Sequence, residues 1–300
     1  MSKRATEEAV SECSEPKKAS KPLGKSINMM EWIDENSSLF VPPVCNKLMY
    51  GEGQLKIMFV GGPNTRKDYH LEEGEELFFQ VKGDMCLKVL EKGKPKDIII
   101  KEGEMFLLPS RFNHSPQRFE NTVGLVIERE RLPEEIDGLR YFCEDGVTVL
   151  WEKFFHCTDL TQIAPVIKEF FESEEHKTGK PSKESSCSIN VDTETELMEP
   201  FPLKQWLKDN KDSYRSGSMA IFEKGEFKVH AHGSGEQEGH SQGEMWFWQL
   251  EGKATVNVDE ITRELNKNDV LMITAGSDFR VKREEGSVGL SITVDSLANK

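Results

Sequence analysis

Gly74-Glu75-Glu76-Leu77-Phe78-Phe79-Gln80-Val81-Lys82-Gly83 returns, without a gap, as Gly243-Glu244-Met245-Trp246-Phe247-Trp248-Gln249-Leu250-Glu251-Gly252. Each copy is a short apolar, aromatic-rich run bracketed by glycine, the pattern of a strand held between two turns. The match extends outward. Gly103-Glu104-Met105-Phe106-Leu107-Leu108 falls on Asn268-Asp269-Val270-Leu271-Met272-Ile273, and the same register carries Arg118 onto Arg283 and Gly124 onto Gly289. Upstream, Trp32-Ile33-Asp34-Glu35-Asn36 matches Trp206-Leu207-Lys208-Asp209-Asn210. One β-unit therefore occurs twice, at a period of about 165–175 residues.

Within the first copy, Leu55 to Val60, Leu77 to Val81, Asp97 to Ile100 and Val123 to Ile127 are short strand-like runs separated by Gly, Pro and Asn turns. Many short strands punctuated in this way indicate an all-β sandwich or barrel. Met29-Met30-Glu31-Trp32-Ile33 fits a short amphipathic helix. Leu160, Ile163, Ile167, Phe170 and Phe171 recur at helical spacing, which predicts a helix over 159–176 packed by one face. Residues 1–27 are Lys-, Glu- and Ser-rich and predict a disordered tail. Its Lys3-Arg4 and Lys17-Lys18-Ala19-Ser20-Lys21 have a bipartite nuclear-signal spacing that basic tails also reach by chance. The division expected is a tail at 1–27, a first barrel at 28–176, a polar linker at 177–200 and a second barrel at 201–300.

With 300 residues the chain can bury ample apolar surface in two cores. Its formal charge of −14 argues against nucleic acid and anionic membranes as partners, but not against a small anion held in a local cationic cavity. No apolar run approaches the roughly 18 residues of a membrane span, and no signal-peptide hydrophobic region opens the chain. The six cysteines contain no C-x-x-C pair, which suits neither a disulfide framework nor a structural zinc, and points to a reducing cytosol.

The chemistry concentrates in the first copy. His70, Glu76 and His114, each at a strand end or turn, have the ligand count of a mononuclear non-haem iron site with open coordination positions. In the second copy these positions are Gly239, Met245 and Phe279, so all three ligands are lost together and the duplicate reads as a metal-free structural copy. His230, His232 and His240, in a Gly/Ser-rich stretch, could still chelate a metal adventitiously but read better as surface histidines; no second metal site is expected. Arg66 and His70, like His114 and Arg118, stand at i and i+4, so on strands each pair would share one face. Glu128 alternates with Val123, Leu125 and Ile127. Two guanidinium forks could clamp a carboxylate while Glu128 accepts a hydrogen bond from an amine or hydroxyl. The neighbouring Glu72, Glu73 and Glu75 read as a solvated acidic turn with only Glu76 turned inward. Taken singly, each of these residues has a plainer reading: structural histidines, surface arginines, and a Glu128 paired with Arg129 or Arg131.

Gly62 to Gly83 and Gly103 to Asn121 resemble the two motifs of the cupin superfamily, with Asp68 where many cupins place a first histidine. The strings from Gly61 to His70, from His114 to Phe119 and from Pro42 to Met49 are similar to the 3-hydroxyanthranilate 3,4-dioxygenase family, over roughly residues 28–300. The resemblance implies a bicupin, two double-stranded β-helix barrels with a few short helices. It implies an Fe(II)-dependent extradiol dioxygenase that opens the ring of 3-hydroxyanthranilate with O₂, giving 2-amino-3-carboxymuconate semialdehyde on the route to quinolinate and NAD. By matching positions it implies His70, Glu76 and His114 as iron ligands, Glu76, Arg118 and Glu128 as substrate-binding residues, and Arg66 beside the O₂ and substrate-carboxylate position. The cysteines that hold a second iron in bacterial members are missing, so the implied form is the monomeric animal type. The alternatives are a cupin dioxygenase or isomerase for another small acid, and a non-catalytic bicupin that binds a ligand.

Overall fold

The computed structural model describes residues 23–42, 45–158, 160–181 and 187–296. Strands dominate it, and every strand pairing is antiparallel. In the first half one sheet runs in the order Phe201–Pro202, Glu104–Leu108, Glu76–Lys82, Val123–Arg129, Leu55–Gly61, Asn46–Tyr50. Its companion sheet is Val149–Phe155, Asp137–Phe142, Tyr69–Leu71, His114–Arg118, Met85–Glu91, Lys94–Ile100. The second half repeats the plan with the sheet Ile27–Asn28, Asp269–Ile273, Met245–Glu251, Val288–Val294, Phe227–His232, Ser218–Phe222 and a smaller one of Gly235–His240, Asp278–Arg283, Ala254–Val258, Ile261–Leu265.

Side-chain alternation on the sheets that carry Glu76–Lys82 and Met245–Glu251 builds a core inside each barrel and one between them. Met58, Phe78, Phe106 and Val126 point into the first barrel and meet Met85, Leu87, Val89, Ile98 and Ile100 of its companion sheet. Phe247, Leu271 and Ile273 do the same in the second, against Val256, Val258, Phe279 and Val281. The opposite faces of the sheets that carry Glu76–Lys82 and Met245–Glu251, with Leu55, Ile57, Phe59, Leu77, Leu125 and Ile127 against Phe227, Val229, Trp246, Trp248, Leu290 and Ile292, form a third core between the barrels. This double burial is why Val123–Arg129 reads as a nearly continuous apolar run, with every residue buried.

The barrels also exchange edge strands. Ile27–Asn28 pairs with Asp269 and Val270 of the second barrel, while Phe201–Pro202 pairs with Glu104 and Met105 of the first. Each exchanged strand leads straight into a matching helix, Met29–Glu35 or Leu203–Asp209. Two sequence expectations change as a result. Residues 23–27 are not tail: Leu23 is buried in the second barrel and Ile27 is in its sheet. The polar appearance of 177–200 conceals Leu197, which is buried in the first barrel's interior. Residues 1–22, with the two basic clusters, and Pro43 and Val44 lie outside the described residues. The helix expected at 159–176 is divided into Ile163–Glu172 and Glu174–Thr178 by Ser173, whose extended backbone and hydroxyl cap the second piece. Among the described residues no helix is long and apolar enough to cross a membrane.

Candidate metal centre and substrate cavity

His70 and His114 are directly opposed partners on neighbouring antiparallel strands, with ring centroids 5.3 Å apart. Glu76 opens a strand of the facing sheet. All three side chains are buried, and one ligand atom from each lies within 4.8 Å of the others. The outer nitrogens are committed elsewhere. His114 Nδ1 donates to the Phe112 carbonyl at 3.0 Å, and His70 Nε2 lies 2.7 Å from Asp137 Oδ2, itself held by Arg131 Nη2 at 3.0 Å. That leaves one nitrogen of each imidazole for the interior.

Glu76 Oε1 is 2.7 Å from His114 Nε2, yet it is buried without a properly aligned hydrogen bond. Donors that converge without satisfying one another fit a divalent cation, and two imidazoles with one carboxylate are the donor set of non-haem Fe(II). The electrostatics agree. Burial pushes the Glu76 carboxyl up, but His114, Glu72 and His70 together outweigh it and hold it well below the usual range. Burial lowers the His114 imidazole, and the adjoining Glu76 more than restores it. Burial also raises the Glu72 carboxyl well above the usual range, and Glu128, Glu76 and Asp137 add to the rise against the pull of Arg131.

The triad opens into a cavity of about 630 Å³ lined also by Arg66, Arg118, Glu128, Met58, Phe78 and Val126 and roofed by Ile163, Ala164, Ile167 and Phe171. The roof helix is fastened from behind by Phe170, stacked on Tyr141 with centroids 3.5 Å apart. Arg118 is only 2 % exposed. Its Nη1 donates to Gln80 Oε1 at 3.1 Å, and among the described residues no carboxylate lies within ion-pair distance of it. Burial lowers its guanidinium to about 10, with Glu76 opposing and Arg66 reinforcing that shift.

Two expectations are corrected. Arg66 is not on a strand; it sits in the loop before Tyr69–Leu71, paired with Asp68 and fixed by Gln117, which accepts from its backbone N–H at 3.1 Å and donates to its carbonyl at 3.0 Å. The acidic turn is not solvated: Glu72 and Glu75 are buried, Glu72 against Arg131, and Glu75 on backbone N–H groups of the second barrel. Glu128 does line the cavity, and it also accepts from Arg131 Nη1 at 2.6 Å.

A family model described as 3-hydroxyanthranilic acid dioxygenase matches residues 23–171. The 3-hydroxyanthranilate 3,4-dioxygenase of Rattus norvegicus is 49% identical, over 93% of this chain and 99% of its own length. That of Homo sapiens is 48% identical with the same coverage, and that of Caenorhabditis elegans is 48% identical over 68% of this chain and 73% of its own.

The chain belongs to the 3-hydroxyanthranilate 3,4-dioxygenase family.

Solved structures at low identity bear on the fold alone. A salicylate 1,2-dioxygenase from Pseudoaminobacter salicylatoxidans superposes with a TM-score of 0.55 at 13% identity, covering 93% of this chain and 82% of that one. A cupin 2 conserved barrel domain protein from Leptotrichia buccalis gives 0.50 at 12% identity, covering 92% and 98%. The fold is the bicupin that the two sequence motifs imply.

In this family member the second barrel carries no equivalent donors among the described residues. Gly239 and Phe279 are paired where His70 and His114 pair in the first barrel, and Met245 opens the strand that Glu76 opens there. His232 departs from expectation: it is buried, 2.8 Å from Ser291 Oγ, and burial, with Arg283 and His230, lowers its imidazole to about 3. His230 and His240 pair with Glu223 and Asp278, each at 2.7 Å. The sequence reading named Arg131 only as a plain partner of Glu128 and missed Asp137, which Arg131 joins to Glu72 and Glu128. Nothing in the local string signals Asp137, whose contact with His70 spans 67 residues.

Proposed function

We propose that this chain is an Fe(II)-dependent extradiol dioxygenase that converts 3-hydroxyanthranilate and O₂ to 2-amino-3-carboxymuconate semialdehyde, a step toward quinolinate and NAD. The observation that carries the reading is Arg118: a buried guanidinium, without a carboxylate partner among the described residues, opening onto the same cavity as His70, Glu76 and His114. A buried charge is costly unless compensated, so the cavity is made for an anion beside a metal.

His70, Glu76 and His114 would hold the iron, which when bound supplies open coordination positions and the electron transfer that lets O₂ react with an aromatic ring. Arg118 receives the substrate carboxylate, with Arg66 on the same side of the cavity. Glu128, already held by Arg131, accepts a proton-bearing group from the other edge of the ring. Met58, Phe78, Val126 and the roof residues Ile163, Ile167 and Phe171 flank the ring and exclude water. The chain thus orients the ring and balances its charge, and that positioning is its share of the catalysis. Five cysteines among the described residues are free thiols, which supports placement in a reducing cytosol.

The test is anaerobic loading with Fe(II), then 3-hydroxyanthranilate and air, following oxygen uptake and the product's absorbance. The expected result is stoichiometric uptake that His114→Ala abolishes. Equal turnover of an aminophenol without the carboxylate would overturn the substrate assignment.

A further inference from the structure

A buried ion cluster links the two barrels at the metal loop. Glu75, the residue before Glu76, donates its backbone N–H to Glu226 Oε2 at 3.1 Å. Its own carboxylate accepts from the backbone N–H groups of Glu226 and Phe227, each at 2.9 Å. Gly225 makes the approach feasible: its φ is +84°, and a Cβ there would come within 2.1 Å of Glu75 Oε1. The Glu226 carboxylate then grips Arg129 bidentately, at 2.9 Å to both Nε and Nη2, and Arg129 grips Glu135 at 2.6 and 2.8 Å. Arg129 follows Glu128 in the chain, and Glu135 stands two residues before the Asp137 that holds His70. One carboxylate of the second barrel therefore reaches three segments of the site.

The duplication separates what is interface from what is particular to the metal side. Glu244, the counterpart of Glu75, accepts from the Leu55 backbone N–H at 2.8 Å, and a Cβ on Gly53 would strike its carboxylate. The backbone clasp is thus present twice. So is its neighbour: Glu130 N–H donates to the Gln54 carbonyl as Asp295 N–H donates to that of Glu226. The charges are not. Gln54 stands at the place of Glu226, and Val294 at that of Arg129. The Glu226–Arg129–Glu135 cluster occurs only on the side whose loop carries Glu76.

We infer that Glu226 of the second barrel is a positioning residue for the metal centre of the first, fixing the backbone that presents Glu76 and bracing the strands that carry Glu128 and Asp137. This rests on His70, Glu76 and His114 being the metal ligands. It gives the metal-free copy a task in the reaction beyond covering apolar surface.

The experiment titrates the full-length protein with Co(II), reading both the dissociation constant and the visible absorption of the bound ion. Glu226→Gln, which installs the residue the other side uses, is expected to weaken Co(II) about tenfold and alter its spectrum, in the range typical of lost outer supports of metal ligands. Gly225→Ala, which crowds Glu75 without changing any charge, is expected to act in the same direction and serves if the first variant does not fold. Val256→Ala, in the second barrel's own interior, is the control: a lowered Tm with Co(II) affinity and spectrum within twofold of the parent. Parent-like affinity and spectrum in a folded Glu226→Gln protein, or an equal loss in Val256→Ala, would overturn the positioning role alone. A parent that binds no Co(II), or that binds it equally as His70→Ala, would overturn the metal assignment and this inference with it.

Discussion

His70 and His114 face each other as paired residues on neighbouring strands, and at the same register of the second barrel Gly239 faces Phe279. The Phe279 ring occupies what the first pair leaves open: a Cβ on Gly239 would lie 2.9 Å from its Cζ. A glycine opposite an aromatic ring thus packs, in the second barrel, the space that two imidazoles border in the first.

Phe279→His is accordingly expected to restore nothing. It would bury an imidazole without Glu or His partners and vacate part of the core around Phe247, costing about 2–4 kcal/mol. Urea unfolding should show that loss, while equilibrium dialysis with Co(II) returns the parent's stoichiometry. A gained equivalent of metal would contradict it.

Arg118→Ala should lower kcat/KM for 3-hydroxyanthranilate by an amount equal to about 2–4 kcal/mol of transition-state binding. The second barrel keeps the same arginine as Arg283, but there it lies over the Phe247 ring at 5.7 Å and its Nη1 donates to Gln237 Oε1 at 3.4 Å. A carboxylate-free aminophenol should be an equally poor substrate for parent and variant. Undiminished kcat/KM for the carboxylate substrate would remove Arg118 from its role.

Asp137→Asn tests which nitrogen His70 offers. The carboxylate 2.7 Å from Nε2 fixes the ring and makes it a better donor. Removing its charge should weaken Co(II) binding by about 10- to 100-fold with little change in fold. Unaltered binding would mean that Nε2 is the ligand atom and that Asp137 turns away when metal is present.

The parts of this site legible in the sequence were those encoded locally. The strand ends that carry His70, Glu76, His114 and Glu128, and the register of the duplicate, follow from apolar alternation and turn glycines. Composition misled where a partner comes from far along the chain. Glu72 and Glu75 read as a wet acidic turn because Arg131 and the Glu226 backbone cannot be placed beside them by spacing. The i, i+4 relation of Arg66 to His70 would place both on one face only if the segment were a strand, but the chain turns through a loop anchored by Gln117 before Tyr69. His232 read as exposed because glycines and serines surround it, although it sits on an inner strand.

His232 also gives the second barrel a pH dependence. Its folded value of about 3 lies below the ordinary 6.5, so between those limits the unfolded chain binds a proton that the folded one does not. Its neutral burial therefore contributes fully above pH 6.5, and that contribution drains away as pH falls toward 3. Over the interval from pH 6.5 to 5 the loss is about 1.5–2 kcal/mol. His232→Gln should flatten the acid limb of urea-derived stability by that amount relative to the parent. Parallel limbs would mean that the imidazole takes up its proton without leaving the fold.

Ending the chain after residue 200 should not yield a working first barrel. The truncation removes the Phe201–Pro202 edge from Glu104–Leu108 and uncovers Leu55, Ile57, Phe59, Leu77, Leu125 and Ile127, which pack on the second barrel. Exposing six such side chains costs on the order of 10 kcal/mol, at about 1.5–3 kcal/mol for each one fully bared. That is comparable to the whole stability of a typical domain, about 5–15 kcal/mol. It also strips Glu226 from Arg129 and the clasp from Glu75, leaving a buried charge cluster half-compensated beside Glu76. The fragment is expected to aggregate, or to bind a hydrophobic dye and lose near-ultraviolet dichroism. A soluble fragment with parent-like Co(II) affinity would show that the catalytic barrel stands alone.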